Sequence, residues 1–475
     1  MIRLLLFSLT FIFVYGCQSD KSQAITKDYV PLSGKISNPK ADYVVVYRED
    51  HQFHDSINLN AQNIFQTKIS NEYLPSLFYF RSGSETQMFF IEPGDSLTLH
   101  LNSLEFDESL QFSGIGAEKN NFLVNMFLKH EDEELLQFKG ENSFFRLESA
   151  EFKQKVDSLK EVKLSELEAF AKTENISEQY RSLAYQNILC NVFARIEKYP
   201  FYKYGVKNWS SDANLPKDFY EHRSQVDFNN GKNYITYSFN RYLYSLINNL
   251  AHQKIAAGTP PELDYEAHLQ LAKLEVIDSA LTNKLIKNRI SYRTTRNYLS
   301  KCKEPDHIKR VVDRFKQINT DSNNLTNIAE MTTSYLALAP GNTLPSLSIN
   351  DAVNNTYQIN DISNKPQLLF FWTPDQPQHQ KSIHQIAERL SKQFSNIDFI
   401  SINLNEEFPE GNYMLNDDKD NFHQFKAQCH KELIHKLAIT HYNRAILVNE
   451  SKQILDPNLN LFIPNIDRVI SSHFE

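Results

Sequence analysis

The chain has 475 residues, 41% of them hydrophobic and 23% charged, with a formal net charge of −8. That length exceeds what one hydrophobic core ordinarily holds, so two or three domains are expected. The 33 Phe and 23 Tyr supply ample core material, and the absence of a strong basic block argues against nucleic acid as a main partner.

Arg3 supplies a short positive region, and Leu4 to Val14 is an apolar run of signal-peptide length, too short for a finished bilayer span. It ends in Val14-Tyr15-Gly16-Cys17, which resembles the lipobox of bacterial lipoproteins, with Tyr15 where a smaller residue is usual. The resemblance implies that residues 1–16 are a removed leader and that Cys17 becomes a lipidated N-terminus. The membrane would then be a partner through several acyl chains, each buried CH2 contributing about 0.8 kcal/mol. The alternative is plain secretion, with Cys17 an ordinary thiol. Residues 17–29 are polar and without apolar period, a tether. The expected location is the cell envelope, at the outer membrane.

Residues 30–115 read as a small antiparallel β-sandwich. Tyr43-Val44-Val45-Val46-Tyr47, Ile64 to Ile69, Leu77-Phe78-Tyr79-Phe80, Met88-Phe89-Phe90-Ile91 and Leu97-Thr98-Leu99 are short strand-like runs, with a turn at Pro93-Gly94-Asp95. From 116 to 335 the period becomes helical: Phe122, Met126 and Phe127, then Phe152, Val156, Leu159 and Val162, then Leu183, Leu189, Val192 and Ile196. Tyr199-Pro200-Phe201-Tyr202 reads as an aromatic loop packed between helices. Pro340 and Pro345 with Gly341 mark a boundary.

Residues 340–475 form an α/β unit. Gln367 to Trp372 is an apolar strand buried on both faces, and Ile383, Ile386, Leu390 and Phe394 stripe the following helix. Ile397 to Leu404 is a second strand, Phe422 to Ala438 a helix, and Ala445 to Val448 with Lys452 to Leu455 a terminal hairpin. Together these segments predict a multidomain α+β protein.

Gly341-Asn342-Thr343-Leu344-Pro345, followed by Lys365-Pro366-Gln367-Leu368-Leu369-Phe370-Phe371-Trp372, resembles the TlpA/ResA-type thioredoxin-like family. The resemblance implies a redox Cys-x-x-Cys beginning four residues after Trp372, where this chain has Gln376 and His379, and a cis-proline where it has Asn443. Thiol–disulfide exchange needs a thiolate to attack and a second cysteine to resolve the mixed disulfide, and neither Gln376 nor His379 can do this. A cis bond before a residue other than proline costs about 2.5–4 kcal/mol, so the bond before Asn443 is expected to be trans. Leu32-Ser33-Gly34-Lys35-Ile36, Pro93-Gly94-Asp95 and Gly114-Ile115-Gly116-Ala117-Glu118-Lys119-Asn120 resemble the small β domain that precedes such domains in exported lipoproteins. Gly114-Ile115-Gly116 lacks the later glycine of a nucleotide loop.

Cys190, Cys302 and Cys429 have no disulfide or zinc spacing. Cys429 shares helical spacing with Phe422, Phe425, Leu433 and Leu437 and is expected to be a buried, inert thiol. His379, His384, His423, His430, His435 and His441 crowd one region, but His430 and His435 are five apart, not a helical metal pair, so surface and cap roles are expected. No metal or cofactor is expected. The reading is a redox-inactive, lipid-anchored binding or scaffold module with a protein partner in an envelope assembly. The alternative is a thiol–disulfide oxidoreductase acting through the cysteines outside the motif.

Overall fold

The computed structural model describes residues 28–49, 52–138, 143–206, 215–230, 235–256, 264–351, 353–405 and 422–474. The leader, Cys17 and the tether up to residue 27 lie outside the described residues. The chain divides into two compact units. The first gathers the described residues up to Phe144 with Glu161–Ile188 and residues 235–236; the second gathers Phe145–Lys160, the described part of Leu189–Asn233 and the described residues from Tyr237 onward.

Period-2 alternation builds the first unit. In β1 (Tyr29–Ser37), Val30, Leu32 and Ile36 are buried while Lys35 and Ser37 face solvent. The strands β2 (Tyr43–Tyr47), β3 (His54–Asn58), β4 (Ile64–Ser70), β5 (Ser76–Ser82), β6 (Glu85–Ile91), β7 (Ser96–Asn102) and β8 (Gln111–Ile115) follow. They form two four-stranded sheets, β4-β1-β7-β8 and β3-β2-β5-β6. Val30, Ile36, Val44, Phe78, Phe89 and Leu99 share one core. The expectation of a wholly antiparallel sandwich is corrected at one pair: β1 and β7 run parallel, Leu32 opposite Leu97. The chain leaves β1 for the other sheet twice before β7 returns on its free side, and hydrophobic period carries no information about strand direction. The outer face of β5 and β6 is covered as well. Leu77 and Phe90 pack with Leu123 and Met126 of α2 (Ala117–Phe138) and with Tyr180 and Leu183.

The short helix α1 (Phe106–Ser109) precedes β8. After α2 come α3 (Ser149–Thr173) and α4 (Glu178–Tyr204), then α5 (Tyr237–Ala256), α6 (Tyr265–Ala280), α7 (Lys284–Leu299), α8 (Pro305–Ile318) and α9 (Ser322–Ala337). The aromatic loop expected at Tyr199 to Tyr202 is instead the last part of α4, with Pro200 inside the helix. Proline removes a helical hydrogen bond, but rings on both sides hold this stretch. Tyr199 stacks on Phe152 at 4.1 Å and Tyr202 on Phe145 at 4.5 Å, and the Tyr199 hydroxyl donates to the Leu147 carbonyl at 2.7 Å.

The last part of the chain holds β9 (Ser348–Asn350), β10 (Thr356–Gln358), β11 (Gln367–Trp372), α10 (Pro377–Gln393), β12 (Asp398–Asn403), β13 (Phe422–Ala427), α11 (His430–Lys436), β14 (Arg444–Val448), β15 (Ile454–Asn460) and α12 (Ile466–Ser471). The strands make one seven-stranded sheet in the order β10-β9-β13-β12-β11-β14-β15. Strands β11 and β12 are parallel through the crossover helix α10, and β11 pairs antiparallel with β14, which pairs antiparallel with β15. This is a thioredoxin-like arrangement. The helix expected from Phe422 to Ala438 is corrected. Its first part is β13, parallel to β12 with Phe425 opposite Ile402, and only His430–Lys436 is helical. Phe422 and Phe425 fit a helical step by chance, while the burial of Phe425 and Ala427 on either side of the less buried Lys426 is a strand's alternation.

Candidate functional site

The carboxyl end of a central parallel strand is where an open α/β sheet presents its ligand crevice. Here β11 is buried along its whole length, as its apolar run requires, and Trp372 lies opposite Asn403 of β12. The chain then turns through Thr373 into α10, whose N-cap is Gln376 and whose first helical residue is Pro377. Proline suits that position because its missing N–H would have no helical partner. The Gln376 side chain is exposed and makes no capping bond to the helix.

His379 follows in the first turn of α10, half-buried between Tyr442 and Phe462, with ring centroids 6.1 and 5.5 Å away. Among the described residues neither ring nitrogen makes a hydrogen bond of ordinary geometry, though both are shielded from water. Burial pulls the imidazole below the usual histidine range, and the Asn443 side chain opposes that shift in part. The ring is therefore neutral near pH 7. Among the described residues the cis peptide bond is Leu74–Pro75, and Tyr442–Asn443 is trans. Gln376, His379 and Asn443 thus bring two amides and a neutral imidazole, but no sulfur, to the end of β11. The exposed Gln376 amide can donate and accept hydrogen bonds to a peptide, and Phe462, 38% exposed, adds an apolar contact.

Beneath this surface is a network that the sequence did not reveal. His384 is buried, which corrects its expected surface or cap role. Its Nδ1 faces the Gln380 carbonyl at 2.7 Å and so carries the proton, leaving Nε2 to accept from Ser401 Oγ at 3.0 Å. Trp372 Nε1 donates to the same oxygen at 2.9 Å. The imidazole meets the Phe370 and Trp372 rings edge-on at 5.4 and 5.1 Å. Burial holds its pKa down. Every nitrogen of this pair of rings has a partner, so the network is structural support for the start of α10.

Arg444, next to Asn443, was also unforeseen. It is 1% exposed, donates from Nε to the Pro457 carbonyl at 2.8 Å and from Nη1 to the Ala438 carbonyl, and lies over the Tyr335 ring of α9 at 5.3 Å. Burial lowers its pKa to about 10. The one available signal was an arginine opening an otherwise apolar strand.

The cysteines lie elsewhere. Cys190 is fully buried and its thiol is pushed far above the usual range by desolvation; Cys302 is half-buried and also raised, mainly by burial. Cys429 is exposed at the N-cap of α11, which corrects the buried position expected for it, because the helix supposed to hide it starts only after it. Among the described residues no three His, Cys, Asp or Glu side chains gather as metal ligands, and no helix is long and apolar enough to cross a membrane.

No protein-family model and no curated protein matches the chain. Solved structures do show likeness. A thioredoxin-like protein from Bacteroides caccae matches at 13% identity over 58% of this chain and 94% of its own, with a TM-score of 0.35. The thioredoxin domain of a thiol-disulfide oxidoreductase from Bacteroides vulgatus matches at 17% identity over 29% of this chain and 99% of its own, with a TM-score of 0.25. A thiol:disulfide interchange protein from Bacteroides sp. matches at 20% identity over 25% of this chain and 80% of its own, with a TM-score of 0.23.

Proposed function

We propose that this chain is a lipid-anchored protein of the cell envelope, held at the outer membrane through Cys17, whose thioredoxin-like domain binds a protein partner instead of exchanging thiols. One observation carries the reading: the turn from β11 into α10 presents Gln376 and His379 where disulfide chemistry would need two sulfurs. Thiolate attack has no substitute in an amide or an imidazole, since neither forms a mixed disulfide. The same surface carries the exposed Gln376 amide, which makes no capping bond, and the partly exposed ring of Phe462. The test is affinity purification of the full tagged chain from detergent-solubilised membranes, next to a Gln376→Ala/His379→Ala/Phe462→Ala variant. A partner retained by the parent chain and lost by the variant is expected; equal recovery on both would defeat the reading. Acyl labelling that disappears in Cys17→Ser tests the anchor.

The exposed thiol of Cys429 favours a second reading, thiol chemistry outside the motif. Disulfide reduction by the full chain that a Cys429→Ser substitution abolishes is its signature.

A further inference from the structure

Within the second unit, α4, α5, α6 and α7 and the turn after α7 enclose an open cleft of about 1060 Å³. Its charges balance on paper, and several of them are engaged. The Glu197 carboxylate is held by Arg223, at 2.8 Å to each oxygen, and by His222 at 2.9 Å. Asp264 is bound to His307 at 2.6 Å, and Lys303 to Asp456 at 2.5 Å. Glu266 and Glu304 are exposed and so belong to the rim.

The floor is different. Gln270 is 5% exposed, and its Nε2 donor has no partner among the described residues. Lys273 is three residues further along α6, hence on the same side of the helix. Lys273 is half-buried and its ammonium forms no ion pair among the described residues. Burial lowers its pKa, nearby Glu266 opposes this, and the neighbouring cation of Lys301 adds to it. The Gln270 and Lys273 side chains, whose amide and ammonium donors have no acceptor among the described residues, thus both line a cleft walled by Phe201, Tyr244 and Tyr298. Buried donors are ordinarily satisfied, and pockets pair a mainly apolar wall with a few convergent polar groups.

We propose that this cleft binds a small organic acid whose oxyanion rests on Lys273 Nζ and Gln270 Nε2 and whose flat apolar body lies against Phe201, Tyr244 and Tyr298. A carboxylate and a phosphate share the required chemistry, since both offer several acceptor oxygens and negative charge.

Calorimetric titration of the full chain with 2-naphthoate, 2-naphthyl phosphate, 2-naphthol and 2-naphthylmethylammonium tests this. At least one of the two acids is expected to bind tenfold or more tighter than the neutral alcohol or the cation, and the tighter acid identifies the headgroup. Lys273→Met is expected to weaken that acid at least fivefold, with Lys273→Arg retaining it. Gln270→Glu places an acceptor of the protein's own beside Lys273, so it is expected to abolish acid binding while raising Tm, an effect that misfolding cannot mimic. Failure of both acids to bind, equal binding of alcohol or cation, or a folded Gln270→Glu variant with unchanged affinity would overturn the proposal.

Discussion

Two sheet margins in this protein carry neighbouring polar side chains, and they use them in opposite ways. In the first unit, β6 and β8 are the outer strands of their sheets, and α2 lays two consecutive asparagines on them. Asn120 accepts from the Phe90 amide at 2.7 Å and donates to the Phe90 carbonyl at 2.9 Å; Asn121 does the same at Phe112, at 2.8 and 2.9 Å. Each side chain stands in for a strand that would otherwise pair with that edge. Lys119 beside them binds Glu92 at 2.6 Å and Asp95 at 2.7 Å, closing the Pro93-Gly94-Asp95 turn. Gly116, at φ +86°, leaves room for the Asp95 carboxylate that a Cβ would strike. At the end of β11, by contrast, Gln376 makes no capping bond and His379 no ordinary hydrogen bond among the described residues. Polar groups whose bonds are all made locally hold a fold together; those left over are available to something else.

The contrast sets the order of expected effects. Lys119→Met should be the most damaging, because it strands the mostly buried Asp95 carboxylate, and an unpaired buried charge costs about 3–5 kcal/mol; urea unfolding measures it. Asn120→Leu should cost about 2–4 kcal/mol by the same method, since it leaves both main-chain groups of Phe90 without partners. Acidification should act on the buried histidines. Burial holds His384 below the ordinary value of 6.5 and His252 at about 4 in the folded state, so the unfolded chain takes those protons first. Their contribution to stability is complete above pH 6.5 and is lost as the pH falls toward 4. His384→Gln should flatten that part of the pH profile, with chemical denaturation at stepped pH as the readout. Gln376→Ala should be the mildest change, within about 0.5 kcal/mol of the parent. A large loss there would erase the contrast.

How much of this was legible in the sequence depended on whether a residue's role is set locally. The apolar runs of β11 and β14 and the Pro-Gly-Asp turn announced themselves, because burial on both faces and turn geometry each demand particular residue types over a few positions. Gln376 and His379 were legible as absences of sulfur. The direction of β7 was not, because an alternating strand reads the same whichever way it pairs. Strand β13 was misread since Phe422 and Phe425, three residues apart, match a helical step, and that error hid the exposure of Cys429. His384, Arg444 and the pair Gln270 and Lys273 acquire their roles from partners brought close only by the fold: Ser401 on β12, Tyr335 on α9, and the walls of the cleft.

The account turns on the chemistry at the end of β11, and thiol exchange by the full chain tests it most directly. Incubated with insulin and dithiothreitol, the parent chain should accelerate reduction no more than a variant with Cys190, Cys302 and Cys429 replaced by serine. Adding Gln376→Cys and His379→Cys to that variant should create acceleration where there was none. Clear acceleration by the parent chain, together with a trapped mixed disulfide to insulin, would contradict the account.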